Sequence, residues 1–238
     1  MTSILVTGGT GNLGRPTVEH LRAAGHEVRV LSRTTGPGLI TGDLNTGSGI
    51  DVAVDGVDTI VHLATGLGRR DVQQTRNLLQ VTPPTTRVVV MSIAGIDRIP
   101  LPYYRTKLEV ERLVAESGTP YTILRATQFH TLLDRIFSLP LPAILAPSIT
   151  LQPIAVEDVA GRLTELVARP VNGRAPDIGG PERRRVPELA RIWKAARSSR
   201  RPVAGVRLPG KVFRAYAAGA ALVDGPSYGR ITFEEYVG

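Results

Sequence analysis

The chain has 238 residues, contains no cysteine and carries a formal net charge of +8 at pH 7. This length suits one large domain, or a domain with a small appendage, that buries a sizeable core. Without cysteine there are no disulfides, thiolate metal sites or cysteine nucleophiles, and we expect a cytoplasmic location. No basic leader precedes the first apolar run, which also favours that location.

Arginine supplies almost all of the positive charge, since only three of the 29 basic residues are lysine. The cluster 183–185 raises the possibility of a nucleic-acid partner, but aromatic residues for base stacking make up only 5% of the chain. We therefore predict solvated arginine faces and no nucleic-acid partner. The four histidines lack the spacing of metal ligands, so no metal site is predicted. The apolar segment 139–151 contains three prolines, which argues against a membrane span and indicates a loop or lid.

Three glycines follow the first apolar run, Ile4–Val6, at positions 8, 11 and 14. A dinucleotide pyrophosphate approaches the main-chain N–H groups at a helix N-terminus, where a side chain at the contact would block it. We assign the first glycine to the turn out of the strand, the second to close phosphate approach and the third to helix–sheet packing. A tight turn in a glycine-rich chain is the alternative interpretation. The predicted cofactor-binding residues of this loop are Gly8, Thr10, Gly11, Asn12, Leu13, Gly14 and Arg15.

Strand-like and helix-like segments alternate after this loop, as in a parallel sheet covered on both faces. The order predicts an α/β fold, a Rossmann-like doubly wound parallel sheet with a small C-terminal substrate-binding portion. We place the NADP-binding core in residues 1–127, with 153–170 packing back on it, and the substrate-binding portion in 128–152 and 171–238. The predicted strands are 27–31, 39–42, 59–63, 87–92 and 122–125, and the predicted helices are 52–54, 72–81, 108–117, 156–168, 187–196 and 210–223.

The end of the second predicted strand favours NADP over NAD. An acidic residue about 20 residues after the glycine loop normally holds the ribose hydroxyls of NAD, but Ser32 and Arg33 stand there instead. A guanidinium can pair bidentately with the 2′-phosphate of NADP, and Arg15 adds a second positive charge. The alternative is that Arg33 is a surface residue of an arginine-rich chain.

Two further strand ends carry candidate cofactor contacts. Asp43 can accept a hydrogen bond from the adenine amino group while Leu44 packs against the ring, although a turn-forming aspartate is the alternative. Ala64 and Thr65 are small enough to let the cofactor pass close to the backbone. His62, inside an apolar strand, is interpreted as a core histidine with satisfied hydrogen bonds.

A tyrosine and a lysine four residues apart indicate proton transfer. Tyr103 and Lys107 share one face if they lie on a helix. A phenol can donate a proton to a carbonyl oxygen as hydride reaches the carbon, and we expect the ammonium to lower the phenol pKa. The same lysine can hold the nicotinamide ribose, and Ser92, at a strand end, can orient the carbonyl. Tyr104 is the competing proton donor, and a Tyr/Lys pair on a solvated helix face is the alternative interpretation.

The chain resembles atypical short-chain dehydrogenases/reductases of the NmrA-like, NAD(P)H-binding group over nearly its whole length. Two departures from that pattern are the Val81–Pro84 helix end and the short separation between Ser92 and Tyr103. The segments that carry the resemblance are Thr7–Arg15, Gly42–Leu44, Thr75–Leu79, Tyr103–Glu109, Thr122–Phe129 and Gln152–Ala160, and more weakly Asp177–Pro181 and Gly229–Tyr236.

The resemblance implies NADP(H) binding through the glycine loop and Arg33, with Ala126 and Thr127 near the nicotinamide. Some similar proteins reduce quinones or aromatic substrates. Others sense the dinucleotide without turnover, and those tend to lack the Tyr/Lys pair that this chain retains.

Three functional hypotheses follow. The first is an NADPH-dependent reductase of a hydrophobic carbonyl, quinone or related unsaturated small molecule. The second is an NADP-binding redox sensor, and the third is a non-reductive isomerase or cyclase on the same fold. For each we expect a monomer or homodimer with a small-molecule ligand and no membrane partner.

Overall fold

The computed structural model describes residues 1–66 and 68–238, which form two compact units. The first unit comprises Met1–Ser92, Pro102–Arg125 and Val159–Pro176. The second unit comprises Ile93–Leu101, Ala126–Asp158 and Asp177–Gly238.

Strands and helices alternate through the first two thirds of the chain, as the sequence predicts. The strands are β1 (Ser3–Thr7), β2 (Glu27–Ser32), β3 (Leu39–Thr41), β4 (Thr59–His62), β5 (Arg87–Ile93), β6 (Tyr121–Ala126), β7 (Ile144–Pro147), β8 (Thr150–Leu151), β9 (Gly173–Arg174), β10 (Arg184–Arg185) and β11 (Val203–Val206). The helices are α1 (Gly14–Ala23), α2 (Ile50–Val54), α3 (Arg69–Val81), α4 (Pro102–Glu116), α5 (His130–Phe137), α6 (Val156–Ala168), α7 (Val186–Ala196), α8 (Lys211–Ala217) and α9 (Phe233–Val237).

A seven-stranded sheet of order β3-β2-β1-β4-β5-β6-β9 organises the first unit. Strand β1 pairs in parallel with β2 on one side and with β4 on the other. The chain therefore winds outward in both directions from β1, which places a topological switch point between β1 and β4. The predicted doubly wound, Rossmann-like α/β fold is confirmed.

Runs of consecutive buried apolar residues on the central strands, such as Ile4–Val6 of β1 and Val88–Val90 of β5, form the core of this sheet. Val88 and Val90 of β5 join Val110 and Val114 of α4 in one buried cluster. A second cluster combines Leu5 of β1 with residues of β2, α2 and β4. Strands that bury apolar side chains in this way are typical of a parallel sheet with helices packed on it.

A buried ion pair fixes α4 to β6. Arg125 donates from Nε and Nη2 to the two carboxylate oxygens of Glu111 at 2.8 and 2.7 Å, and both side chains are at least nine-tenths buried. This bidentate geometry compensates the desolvation of both charges. It holds the helix that carries Tyr103 and Lys107 in register with the sheet.

The second unit differs from the sequence prediction in two places. The predicted loop or lid 139–151 contains β7, which pairs in parallel with β11, and β8, which pairs antiparallel with β10. The prediction of an irregular segment was wrong because the partner strands come from residues more than 30 positions away, so no local pattern marks them. The helix predicted over 210–223 ends at Ala217, one residue before a turn that contains Gly219 at φ +77°.

Candidate functional site

The loop between β1 and α1 is shaped by its glycines. Gly8 has a φ of +72°, in the left-handed region, and turns the chain out of β1. A Cβ at Gly14 would lie 2.1 Å from the carbonyl oxygen of Gly8, so the start of α1 packs directly on the loop backbone. A Cβ at Gly11 would contact only that same oxygen, at 3.2 Å. Two of the glycines are thus required by the loop itself, and the third lies at an exposed bend.

The N-terminus of α1 has no side-chain cap. Its N-cap residue is Leu13, which is buried, while Thr10, Asn12 and Arg15 are exposed. The Nε of Arg15 donates to the carbonyl oxygen of Thr10 at 2.9 Å, which holds the guanidinium against the loop. The main-chain N–H of Arg15 donates to the carbonyl oxygen of Gly11 at 3.1 Å, and Pro16 has no N–H, so the Arg15 guanidinium is the group at this helix end that suits an anion such as a phosphate.

The end of β2 carries the residues predicted to recognise the 2′-phosphate. The hydroxyl of Ser32 lies 3.0 Å from that of Thr34 and accepts from the Thr34 N–H at 3.2 Å, which forms a tight turn. Arg33 lies in that turn with an exposed side chain. A guanidinium in this position is accessible to a ligand over the end of the strand.

The predicted adenine contacts have structural roles of their own. Oδ1 of Asp43 accepts from the main-chain and side-chain nitrogens of Asn45 at 2.9 and 2.8 Å, so this aspartate forms a turn. Leu44 is buried in the core cluster with Leu5 and Ile50. The turn-forming alternative therefore describes the geometry of Asp43.

A hydrogen-bonded chain links β4 to α4. The hydroxyl of Thr65 donates to Oδ2 of Asp71 at 2.8 Å and lies 3.3 Å from the hydroxyl of Tyr103. Because the single Thr65 proton is directed to the carboxylate, the phenol is the donor in its contact with Thr65. Ala64, one residue earlier, is partly buried, and its N–H donates to the Thr7 hydroxyl at 3.4 Å.

Asp71 is a site residue that the sequence analysis missed. It lies in the first turn of α3, is 2% exposed and also accepts from the main-chain N–H of Gly66. Acidic residues are common in the first turn of a helix, so its position alone does not mark a functional group. Only the fold shows that this carboxylate orients Thr65.

Tyr103 and Lys107 both lie on α4, as predicted, but their electrostatics differ from the expectation. Burial raises the pKa of the Tyr103 phenol and outweighs the hydrogen bond with Thr65, and Asp71 raises that pKa further. The expected lowering of the phenol pKa was wrong for this structure. Lys107 is 8% exposed, and burial lowers the pKa of its ammonium although Asp71 and Glu111 oppose that effect.

His62 is a core residue, as predicted. Its Nδ1 lies 2.7 Å from the Thr7 hydroxyl and its Nε2 lies 3.1 Å from the Thr75 hydroxyl. Burial lowers the pKa of His62 to about 3, and the charge of Lys107 contributes to that shift. The ring is therefore neutral near pH 7.

Ser92 is 3% exposed and lies one residue before the end of β5. Its hydroxyl has no hydrogen-bond partner among residues 1–66 and 68–238. Tyr104, the competing proton donor, is 6% exposed. Ala126 and Thr127 belong to the second unit and are buried, with the Thr127 hydroxyl donating to the carbonyl oxygen of Gln152.

An open groove of about 730 Å³ lies between α3 and α4, with Tyr103 on its wall. Its lining includes Arg69, Arg76 and Arg105, and Arg76 pairs with Glu109 at 3.0 Å. These arginine side chains are exposed. The phenol hydroxyl itself is engaged with Thr65.

Within the part of the chain that the structure describes, no three His, Cys, Asp or Glu side chains are grouped to hold a metal ion. No helix of the described residues is long and apolar enough to cross a membrane.

A glycine loop at the switch point of a doubly wound sheet defines a Rossmann-like dinucleotide-binding protein. A family model described as NAD(P)H-binding matches residues 8–170, so the chain belongs to this NAD(P)H-binding family. The resemblance stated from the sequence is confirmed at this level.

Individual relatives are distant. An uncharacterised protein of Mycobacterium tuberculosis is 27% identical over 228 residues, which cover 79% of this chain but only 25% of that protein. A solved nucleoside-diphosphate-sugar epimerase of Staphylococcus aureus superposes with a TM-score of 0.82 at 15% identity, covering 99% of both chains. An NADPH-dependent quinone oxidoreductase of Escherichia coli, solved with NADPH, gives a TM-score of 0.79 at 17% identity and 98% coverage of both chains. The two structures show the shared fold, and the chain spans about a quarter of its mycobacterial relative.

Proposed function

We propose that this protein binds NADP(H) and reduces a carbonyl, quinone or related unsaturated small molecule, with Tyr103 as the proton donor. The hydrogen-bonded chain from Tyr103 through Thr65 to Asp71 is the observation that carries this proposal. It holds the phenol hydroxyl near the carboxyl end of β4, beside the switch point where dinucleotides bind in this fold.

The glycine loop fits the proposed cofactor. The positive φ of Gly8 and the close packing of Gly14 shape the loop at the N-terminus of α1, with the Arg15 side chain held against it. The pyrophosphate would be held there, and the 2′-phosphate by Arg33 with Arg15. When bound, the cofactor supplies a hydride to the carbon of the substrate.

The remaining step is the transfer of one proton to the substrate oxygen. Tyr103 is protonated near neutral pH because burial raises its pKa, so the resting phenol is ready to donate and unsuited to act as a base. In this proposal Lys107, one helical turn along α4, stabilises the phenolate that remains after donation. These groups favour the reductive direction. Ser92, whose hydroxyl has no partner among residues 1–66 and 68–238, would orient the substrate oxygen.

The raised phenol pKa also supports a second candidate function. A poor acid suits a protein that binds the dinucleotide without consuming it. The similarity to an epimerase structure supports a third candidate, a reaction without net redox change. The sensor and the enzyme without net redox change would use the same cofactor site as the reductase. They differ from the reductase only in the fate of NADPH.

The variant Tyr103→Phe tests the proton donor. We expect turnover to fall by about 100-fold or more, in line with general-acid contributions, while NADPH affinity stays within about twofold. Tyr104→Phe is the control and should retain turnover. Equal turnover in wild type and Tyr103→Phe would remove Tyr103 from the mechanism.

A further inference from the structure

Exposed apolar side chains are concentrated in one segment of the second unit, residues 132–145. The α5 residues Leu132 and Ile136 are 45% and 42% exposed, while the other face of this helix buries Leu133 and Phe137. Helix α5 therefore carries large apolar side chains on its solvent side as well as on its packed side. The exposed apolar residues of this segment, named here the apolar patch, are Leu132, Ile136, Leu139, Leu141 and Leu145.

The backbone keeps most of the apolar patch together. Leu132 and Ile136 lie one turn apart on α5, so their side chains share a helix face. The carbonyl oxygen of Ile136 accepts from the N–H of Leu139 at 3.3 Å, and that of Leu139 accepts from the N–H of Leu141 at 2.7 Å. Single apolar residues scattered over a surface are normal, but a group of this kind indicates an interaction site.

A strongly cationic segment, residues 189–223, belongs to the same unit. Between Glu188 and Asp224 the sequence has eight arginine or lysine residues and no acidic residue. The positive charge of this cationic segment equals the formal net charge of the whole chain, +8. Arg200 and Arg207 are among its exposed members. An excess of one charge this large favours a partner of the opposite charge.

Direct hydrogen bonds hold the cationic segment against the apolar patch. Arg201 donates from Nη2 to the carbonyl oxygen of Phe137 and from Nη1 to that of Leu139, both at 2.5 Å. The same guanidinium lies 5.4 Å from the centre of the Trp193 ring. Strand β11 of the cationic segment also pairs with β7, which carries Leu145. Exposed apolar side chains and positive charges therefore lie side by side.

We propose that the apolar patch and the cationic segment dock this protein on the surface of an anionic lipid bilayer. The leucine and isoleucine side chains enter the boundary between headgroups and acyl chains, and the arginines pair with lipid phosphates. This inference does not depend on the proposed reaction.

Charge and composition favour a bilayer over other partners. In a symmetric dimer through the apolar patch, the cationic segments of the two copies would face each other and repel. The apolar patch contains no aromatic side chain, whereas the cores of protein interfaces are enriched in aromatic residues. The expectation of no membrane partner rested on the prolines of 139–151, which argue against a span but not against docking on a surface.

Cosedimentation with vesicles tests the docking surface. The full chain would be mixed with phosphatidylcholine vesicles that either contain or lack phosphatidylglycerol. We expect it to bind the anionic vesicles at least about tenfold more tightly than the neutral ones, because several arginines lie near the surface. Raising the salt concentration should weaken that binding.

Two pairs of substitutions separate the apolar from the electrostatic contribution. Leu139→Ser with Leu141→Ser should weaken binding to the anionic vesicles about tenfold, because two leucines no longer leave water on docking. Arg200→Gln with Arg207→Gln should weaken it by a similar factor and reduce its salt dependence. All four positions are exposed, so both variants should keep the wild-type Tm.

The first unit supplies a matched control for each pair. Val52→Ser with Val81→Ser removes apolar side chains that are 67% and 36% exposed. Arg112→Gln with Arg169→Gln removes two exposed charges. Both control variants should bind the anionic vesicles within about twofold of wild type.

Five other results would each overturn the inference. Wild type would fail to bind the anionic vesicles, or the leucine variant would bind them as tightly as wild type. A large fall in the Tm of the leucine variant would assign these side chains to packing within the fold. A dimer in light scattering that dissociates in the leucine variant would show that a second copy covers the apolar patch. Binding to soluble poly-glutamate that the leucine variant weakens as much as vesicle binding would identify an acidic protein as the partner.

Discussion

The two ends of the proposed site differ in the chemical groups that form them. At the β1–α1 loop the site is made of backbone, with glycines that permit a turn and a close approach, and exposed arginines beside it. At the β4–α4 end it is made of buried side chains, among them the ionisable residues Asp71 and Lys107. The first end works by sterics and tolerates no added atom, and the second works by electrostatics and depends on burial.

A single added methyl group in the glycine loop should lower both the stability of the fold and the affinity for NADPH. Gly14→Ala puts a Cβ 2.1 Å from the Gly8 carbonyl oxygen, a contact with backbone that cannot rotate away. We expect this change to cost about 3 kcal/mol or more of unfolding free energy, as for overpacked sites, and to weaken NADPH binding. Denaturant unfolding and fluorescence titration measure the two effects.

Gly161→Ala is the control for that substitution. Gly161 lies within α6, and a Cβ there would approach only His20, at 3.9 Å. Alanine should therefore be neutral or slightly stabilising there. Equal effects of the two substitutions would contradict a steric role for Gly14.

The contribution of the buried end to the unfolding free energy should fall at low pH. The pKa of His62 is about 3 in the fold against 6.5 as the ordinary value, so the unfolded chain binds more protons between those values and stability falls as the pH decreases through them. From pH 6.5 to pH 4 this one group should remove about 3 kcal/mol of unfolding free energy.

Unfolding of His62→Gln at several pH values checks this prediction. The variant should lose this component of the acid sensitivity, even if its stability at pH 7 is lower than that of wild type. His20→Gln, at an exposed position, is the control and should keep the wild-type pH dependence. A His62→Gln variant with that same dependence would show that the ring is not the titrating group.

The smallest effect concerns cofactor choice. Arg33→Ser should weaken NADPH binding about tenfold and leave NADH binding nearly unchanged, because one charge-assisted pair with the 2′-phosphate is lost. Arg112→Ser removes an equal charge from an exposed position on α4 and should change neither affinity. Titrations with both cofactors measure the ratio, and wild type that binds NADH as well as NADPH would contradict the assignment.

The contrast between the two ends also explains what the sequence could predict. Glycine spacing after an apolar strand is a local signal, and so is the Tyr103–Lys107 spacing, which α4 places on one helix. The core assignment of His62 came equally from its apolar strand. Asp71 was missed because its role depends on its contact with Thr65, which lies in the segment after β4.

The predicted direction of the phenol pKa shift was wrong for a related reason. Spacing indicates which charge is near Tyr103, but burial determines the direction of the shift, and burial depends on the whole fold. Strands β7 and β8 were missed because their partners lie far along the chain. Local patterns predicted the elements and the loop, while side-chain networks and distant pairings required the structure.

The fate of bound NADPH tests the central claim most directly. Wild-type protein would be mixed with NADPH and a panel of quinones and cyclic ketones, with cofactor oxidation and product followed together. We predict NADPH oxidation matched one-to-one by a quinol or alcohol product for at least one member of the panel. NADPH that binds and stays reduced across the panel, or a product at an unchanged oxidation state, would contradict the assignment as a reductase.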